Sequence, residues 1–115
     1  MNALAIQAIE ESHESETQAL AEARRLLAHE ATRCDSQSLA SRLNILAKHE
    51  GRLHVFAAVL ELHQAGHDCR IEGWLIDQAL RGADDSWSGR NNDIARTRHD
   101  GVLSAIREVR LFASI

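Results

Sequence analysis

The sequence predicts an all-α fold, an elongated bundle of about four helices built around one long amphipathic central helix. Three observations lead there. Apolar residues recur with 4,3,4,3 spacing through the middle of the chain, at Leu39, Leu43, Leu46, Leu53, Ala57 and Leu60, with Glu50 filling the step between Leu46 and Leu53. That period lines one side of an α-helix. The 115 residues include no proline, no tyrosine and two phenylalanines, while the helix formers Ala, Leu, Glu and Arg are abundant. Finally, 44% of the residues are hydrophobic, and a chain of this size buries roughly two thirds of its unfolded surface, enough for one core without staples. A single helical domain, 1–115, is expected.

The first helix is expected over residues 3–33, with Ile6, Ile9, Leu20, Ala23, Leu27 and Ala31 on one face and a polar interruption at His13 and Thr17. Ser15 with Gln18 three residues on offers a second start, so the helix either breaks near 12–15 or runs through; a continuous helix is preferred. Asp35, Ser36 and Ser38 are N-cap types and place a turn at about 34–36. The second helix, 36–65, carries the apolar seam and stops at Gly66, a residue suited to the left-handed conformation past a helix end. An interior glycine, Gly51, costs it about 1 kcal/mol relative to Ala and fits a bend, a close helix crossing or a gap admitting another chain. Asp68 is expected to cap a third helix over 69–81, with Ile71, Trp74, Leu75, Ala79 and Leu80 inward. The stretch 82–89 (GADDSWSG) reads as the longest irregular connection. A last helix, about 91–112, carries Ile94, Val102, Ala105, Ile106, Val109 and Phe112, with a plausible break at Asp100-Gly101.

Thirty helical residues extend about 45 Å, whereas a compact chain of this length has a diameter near 34 Å. Either the bundle is elongated or the overhanging seam is covered by a second copy, and a homodimer is the expectation. Glu50 on the seam must then find Arg52, His54 or a partner-chain donor, or stay hydrated, and Glu50→Leu should raise the melting temperature.

The formal charge is −4, which disfavours direct binding to a nucleic-acid backbone. Residues 10–22 hold five acids (Glu10, Glu11, Glu14, Glu16, Glu22) and no Lys or Arg, while residues 90–110 hold five arginines (Arg90, Arg96, Arg98, Arg107, Arg110) against three acids. The two segments can pair with each other; two solvated helix faces are the simpler reading. No run of about 18 apolar residues is present, and Met1 to Glu16 carries acids without a base, so neither a membrane span nor a secretory signal fits and a cytoplasmic protein is expected. Cys34 and Cys69 are read as reduced thiols.

Chemistry-bearing patterns are sparse. His63, His67 and Cys69, with Asp68 between, form the tightest set of metal-ligand types, but Gly66 interrupts the helix between the histidines and no fourth ligand stands at zinc-like spacing. Glu10-Glu11-Ser12-His13 holds one Glu-x-x-His, where di-iron bundles use two with further inward glutamates. Glu50 and His54 form an i,i+4 pair beside His49, without a nucleophile or pocket that would make them an acid/base pair. Residues 37–45 look like the opening of a helix-turn-helix, with Ala40 as the packing residue and Asn44 at the turn, but Glu50 occupies the next expected apolar position. No catalytic residue, metal or cofactor is therefore expected. The most plausible contact surface is Trp87, Arg90, Asn91, Arg96, Arg98 and His99, because Trp and Arg are enriched in interface hot spots. A Trp folded onto the core beside solvated arginines is the alternative.

Residues 89–112 (GRNNDIARTRHDGVLSAIREVRLF) resemble the carboxy-terminal stretch of small phage and prophage accessory proteins of the anti-CRISPR-like inhibitor kind. The resemblance covers about a fifth of the chain and transfers no functional residue. It implies a short, non-catalytic helical protein that binds a host protein or protein–nucleic acid complex and occludes it. A DNA-binding transcriptional regulator, suggested by residues 37–45, is the second reading.

Overall fold

A computed structural model describes residues 1–32, 36–87 and 93–114, with side chains throughout except at 36 and 82–87. Among the described residues four α-helices make up the fold: α1 (Ala3–Ala31), α2 (Ser36–Gln64), α3 (Ile71–Trp87) and α4 (Asp93–Ala113). No strand occurs among the described residues, and none of their helices is long and apolar enough to cross a membrane. Local signals set the helix ends. Asn2 caps α1, its side-chain oxygen accepting from the Ala5 N–H at 2.8 Å, and so satisfies an amide with no intrahelical partner. Gly66, at φ 77°, ends α2. There the His67 N–H donates to Leu62 C=O at 2.8 Å and the Gly66 N–H to His63 C=O at 3.0 Å, the paired bonds of a Schellman motif. A 3₁₀ turn, Asp68–Arg70, then leads directly into α3.

Side-chain pairs give the directions of the helices. Met1 meets Asp68 while Glu16 meets Arg52, so α1 is antiparallel to α2. Thr97 reaches Asn44 and Arg52 reaches Ser104, so α4 runs parallel to α2. Arg110 bonds Glu72 at 2.7 Å, at the carboxy end of α4 and the amino end of α3, which are antiparallel. The molecule measures 48 × 31 × 22 Å. Its long axis matches the length of a 29-residue helix, about 44 Å, so the fold takes the elongated form.

One core joins all four helices: Ile9 from α1, Val55, Phe56 and Val59 from α2, Ile71 and Leu75 from α3, and Val102, Ala105, Ile106 and Val109 from α4. At the α2–α4 crossing the backbones touch through two glycines. A Cβ on Gly51 would lie 2.1 Å from the Arg98 carbonyl oxygen, and one on Gly101 would lie 2.2 Å from the Lys48 carbonyl oxygen. Any side chain at either position would force the helices apart. The two glycines therefore set the closest approach in the bundle, and of the three roles open to Gly51 the structure selects the close crossing.

Several sequence expectations are corrected here. The 4,3,4,3 series on α2 is not its buried stripe. Leu39, Leu43, Leu46, Glu50, Leu53, Ala57 and Leu60 are half-buried, whereas Ala47, Gly51, Val55, Phe56 and Val59 are buried. The helix is rotated so that its small residues meet α4. α4 runs unbroken through Asp100-Gly101, and α2 runs unbroken through Asn44, so residues 37–45 do not form the turn of a helix-turn-helix. α3 continues through residues 82–87, expected as loop, and ends at Trp87. It contains no proline to stop it, and an interior glycine costs a helix only about 1 kcal/mol.

Smaller differences follow the same packing. Leu80, expected inward, is 64% exposed, and Ile94 is 40% exposed. Trp74 is half-buried against the edge of the core rather than within it. α1 is continuous, as preferred, but ends at Ala31; Leu27 is half-buried, Ala31 exposed, and the buried polar residue on its face is Glu16 rather than Thr17. Asp68 does not cap α3, because its carboxylate is occupied by the Met1 ammonium and His63. The turn expected at 34–36 falls largely outside the described residues, as does Cys34; Cys69 is a free, exposed thiol.

A cleft between α2, α3 and α4

Gly51 is flanked by two charged residues, and one helical residue step of 100° sends them to opposite sides of the crossing. Arg52 turns toward α1. There it donates from Nε to Glu16 at 3.0 Å, from Nη1 to Ser104 Oγ at 2.7 Å and from Nη2 to Glu108 at 2.8 Å. Its guanidinium carbon also sits 5.3 Å from the Phe56 ring centroid, in cation–π range. His49 Nδ1 contacts the other oxygen of the Glu16 carboxylate. Burial works against the Arg52 charge, but the hydrogen bonds from Glu108 and Glu16 outweigh it and raise its pKa above the usual arginine value. Every buried polar side-chain atom among the described residues has a partner. This network ties α1, α2 and α4 together through three of the five Arg52 N–H donors.

Glu50 turns the other way, into a cleft of about 440 Å³ between α2, α3 and α4. The cleft exists because α3 packs mainly on α4 and touches α2 at few points. Its walls are Glu50 and His54 from α2, Gln78 and Arg81 from α3, and Ala95, Arg98, His99 and Val102 from α4. Gln78 Oε1 lies 3.1 Å from His54 Nε2, and the His54 ring stands 5.5 Å from Trp74, tilted by 49°. Arg98 approaches Glu50 at 3.6 Å, longer than a formed hydrogen bond. Arg81 pairs with Asp77 along its own helix at 2.8 Å, in water. The lining thus offers two guanidiniums, two imidazoles and an amide against one carboxylate. Among the described residues the lining includes no hydroxyl or thiol, and its two guanidiniums suit it to holding anionic groups.

Of the predicted contact residues, Arg98 and His99 lie on this wall and Arg96 is exposed on the same helix. Trp87 is the last residue of α3, where a loop residue was expected, and its side chain is outside the described part, as are Arg90 and Asn91. Two of the α1 acids are engaged elsewhere: Glu16 is taken by His49 and Arg52, and Glu22 bonds Arg25 of its own helix. Glu50 and His54, expected as a pair, separate to Arg98 and Gln78.

His63 Nδ1 lies 2.8 Å from Asp68, and among the described residues no group of three or more His, Cys, Asp or Glu is arranged to hold a metal. Gln78 and Arg81 carried no signal in the sequence, because only the packing of α3 on α4 gives them a site to line. Glu16 did carry one: it continues the series Ile9, His13, Glu16, Leu20, Ala23, again spaced 4,3,4,3. No family model matches the sequence, and no curated protein and no solved structure matches the chain.

Proposed function

We propose that this chain is a non-catalytic protein-binding module of the phage-encoded inhibitor kind. It acts in the cytoplasm by occluding a host protein or protein–nucleic acid complex, and it binds through the amino-terminal half of α4 and the adjoining cleft. The observation that carries this reading is the gathering of Arg81, Arg98, His54 and His99 on one cleft, with Arg96 exposed beside it, in a chain whose net charge is −4. Arginines concentrated on one surface of an acidic protein favour an acidic partner patch and fix the orientation of docking. The test is the double change Arg96→Glu with Arg98→Glu. Capture of the partner from bacterial host lysate should be lost while the helical circular-dichroism spectrum persists; retained capture would eliminate this surface. A gel shift whose affinity falls steeply with salt, and loses that slope in the double variant, would support the DNA-binding reading instead.

The module is also proposed to be a homodimer, with the exposed leucines Leu4, Leu80 and Leu111, at 68%, 64% and 65%, as side chains a second copy would cover. Sedimentation equilibrium at tens of micromolar should give about twice 12.8 kDa, a concentration range in which stable homodimers persist. A mass equal to one chain would remove this part.

A further inference from the structure

Resting on that reading, we infer that the cleft is a carboxylate-binding site for an acidic side chain of the protein partner, and that Glu50 is the resident anion which the incoming carboxylate displaces from Arg98. The contrast between the two α2–α4 arginine sites leads to it. Arg52 makes three hydrogen bonds of 2.7 to 3.0 Å, whereas the Arg98–Glu50 approach is 3.6 Å. A guanidinium carries five N–H donors in a fork that matches a carboxylate with two parallel bonds, and Glu50 at that separation engages none of them at hydrogen-bond length. The pair is also accessible, with the Arg98 side chain 49% exposed and that of Glu50 34% exposed. A carboxylate entering from solvent can therefore adopt the two-bond geometry that Glu50 does not.

The rest of the lining agrees with this occupant. Arg81, whose Nε is held by Asp77, and His99 also line the cleft, and His54 is steadied by Gln78 and Trp74. A volume of about 440 Å³ admits an acidic side chain with its neighbours. A carboxylate carries a single charge and tolerates Glu50 in the wall, which a phosphate dianion would meet with stronger repulsion. The net charge of −4 opposes any polyanion, and most strongly one charged at every unit, as a phosphate polymer is. The occupant is an acidic protein segment.

The test is fluorescence anisotropy with a labelled ten-residue peptide of alternating Glu and Gly, using wild type, Glu50→Gln and Arg98→Gln. Removing the competing anion should tighten peptide binding about threefold to tenfold, and removing the fork should weaken it about tenfold or more. If the pair were merely structural, both variants would break it alike and shift affinity in the same direction. Opposite shifts support the site; shifts of the same sign, or no wild-type binding up to about 1 mM, overturn it. Arg98→Lys, which keeps the charge without the fork, serves if the glutamine variant loses its helical spectrum, and it too must weaken binding.

A DNA duplex that displaces the peptide with steep salt dependence would overturn the assignment to a protein partner. The binding-module reading fails separately. Lysate capture that depends on Arg96 and Arg98, with no peptide binding, would leave the module and remove the carboxylate site.

Discussion

The two faces of the α2–α4 crossing hold similar groups in different states. On the α1 side, Arg52 is 16% exposed and bonded to Glu16, Ser104 and Glu108. On the α3 side, Arg98 is 49% exposed and stands 3.6 Å from Glu50. A third helix accounts for the difference. α1 lies along α2 and closes the first face, whereas α3 packs on α4 and leaves the second open. A partly buried network of this kind specifies which helix packs where. An arginine with donor capacity in an open cleft is a means of recognition. The same residue type is thus locked into architecture on one face and, on the proposed reading, left for binding on the other.

The largest expected effect comes from the crossing that both faces share. Gly51→Ala and Gly101→Ala each place a Cβ against backbone that cannot rotate away, so each should lower stability by about 3 kcal/mol despite the better helix propensity of alanine. Gly73, also helical, has nothing within 4 Å of its would-be Cβ, and Gly73→Ala should raise stability by about 0.5–1 kcal/mol. Urea denaturation of the three variants checks both signs. A harmless Gly51→Ala would show that the helices are not in backbone contact, and the division into two faces would go with it.

Next in size is the closed face. Glu16→Gln withdraws the charge that both Arg52 and His49 contact and should cost about 2 kcal/mol, since Arg52 keeps Glu108 but loses a buried partner. Replacing both partners, Glu16→Leu with Arg52→Met, should recover most of that loss, because removing a whole buried pair costs less than stranding half of it. A double variant no more stable than Glu16→Gln would mean that the network adds to stability as well as to specificity.

These effects bear on what the sequence made legible. The helix count, the stop at Gly66, the continuous α1 and the α4 stripe of Val102, Ala105, Ile106 and Val109 all follow from period and capping residues. The rotation of α2 does not. α2 carries apolar side chains around most of its circumference, so the Leu39-to-Leu60 series and the Ala47-to-Val59 stripe both satisfy a helical period. Steric fit decides between them, because the small residues Ala47 and Gly51 allow α4 closest. Two interior glycines, Gly51 and Gly101, were the available hint, and each read alone looked like a weak point. At the cleft, the arginines of α4 were legible as contact types. Gln78, Arg81 and the turning of Glu50 toward Arg98 depend on tertiary packing, which no local pattern encodes.

The open face should respond weakly. With Glu50 34% exposed rather than on a dry seam, Glu50→Gln should change stability by less than about 1 kcal/mol, and Glu50→Leu should not produce the marked rise in melting temperature that a buried carboxylate would. A loss approaching that of Glu16→Gln would erase the contrast between the faces.

Smallest and most local is Asp68, whose carboxyl is held below the usual carboxylate range by the N-terminal ammonium and then by His63. A depressed folded pKa stabilises the protein above the unfolded value of 3.8, and that stability is lost as pH falls through the folded pKa. Asp68→Asn should therefore lower the melting temperature slightly at neutral pH and make no difference at pH values below the folded pKa. A gap between wild type and variant that persists in acid would assign the effect to packing instead of charge.

On the proposed reading the open face binds an acidic segment while the closed face does not. Titration of ¹⁵N-labelled protein with the Glu-Gly peptide, followed by amide chemical shifts, addresses it directly. The shifts should concentrate at Glu50, His54, Gln78, Arg81, Arg98 and His99, with Glu16, His49 and Ser104 unmoved. Perturbations centred on Glu16 and its neighbours, or a spectrum unchanged at saturating peptide, would contradict the account.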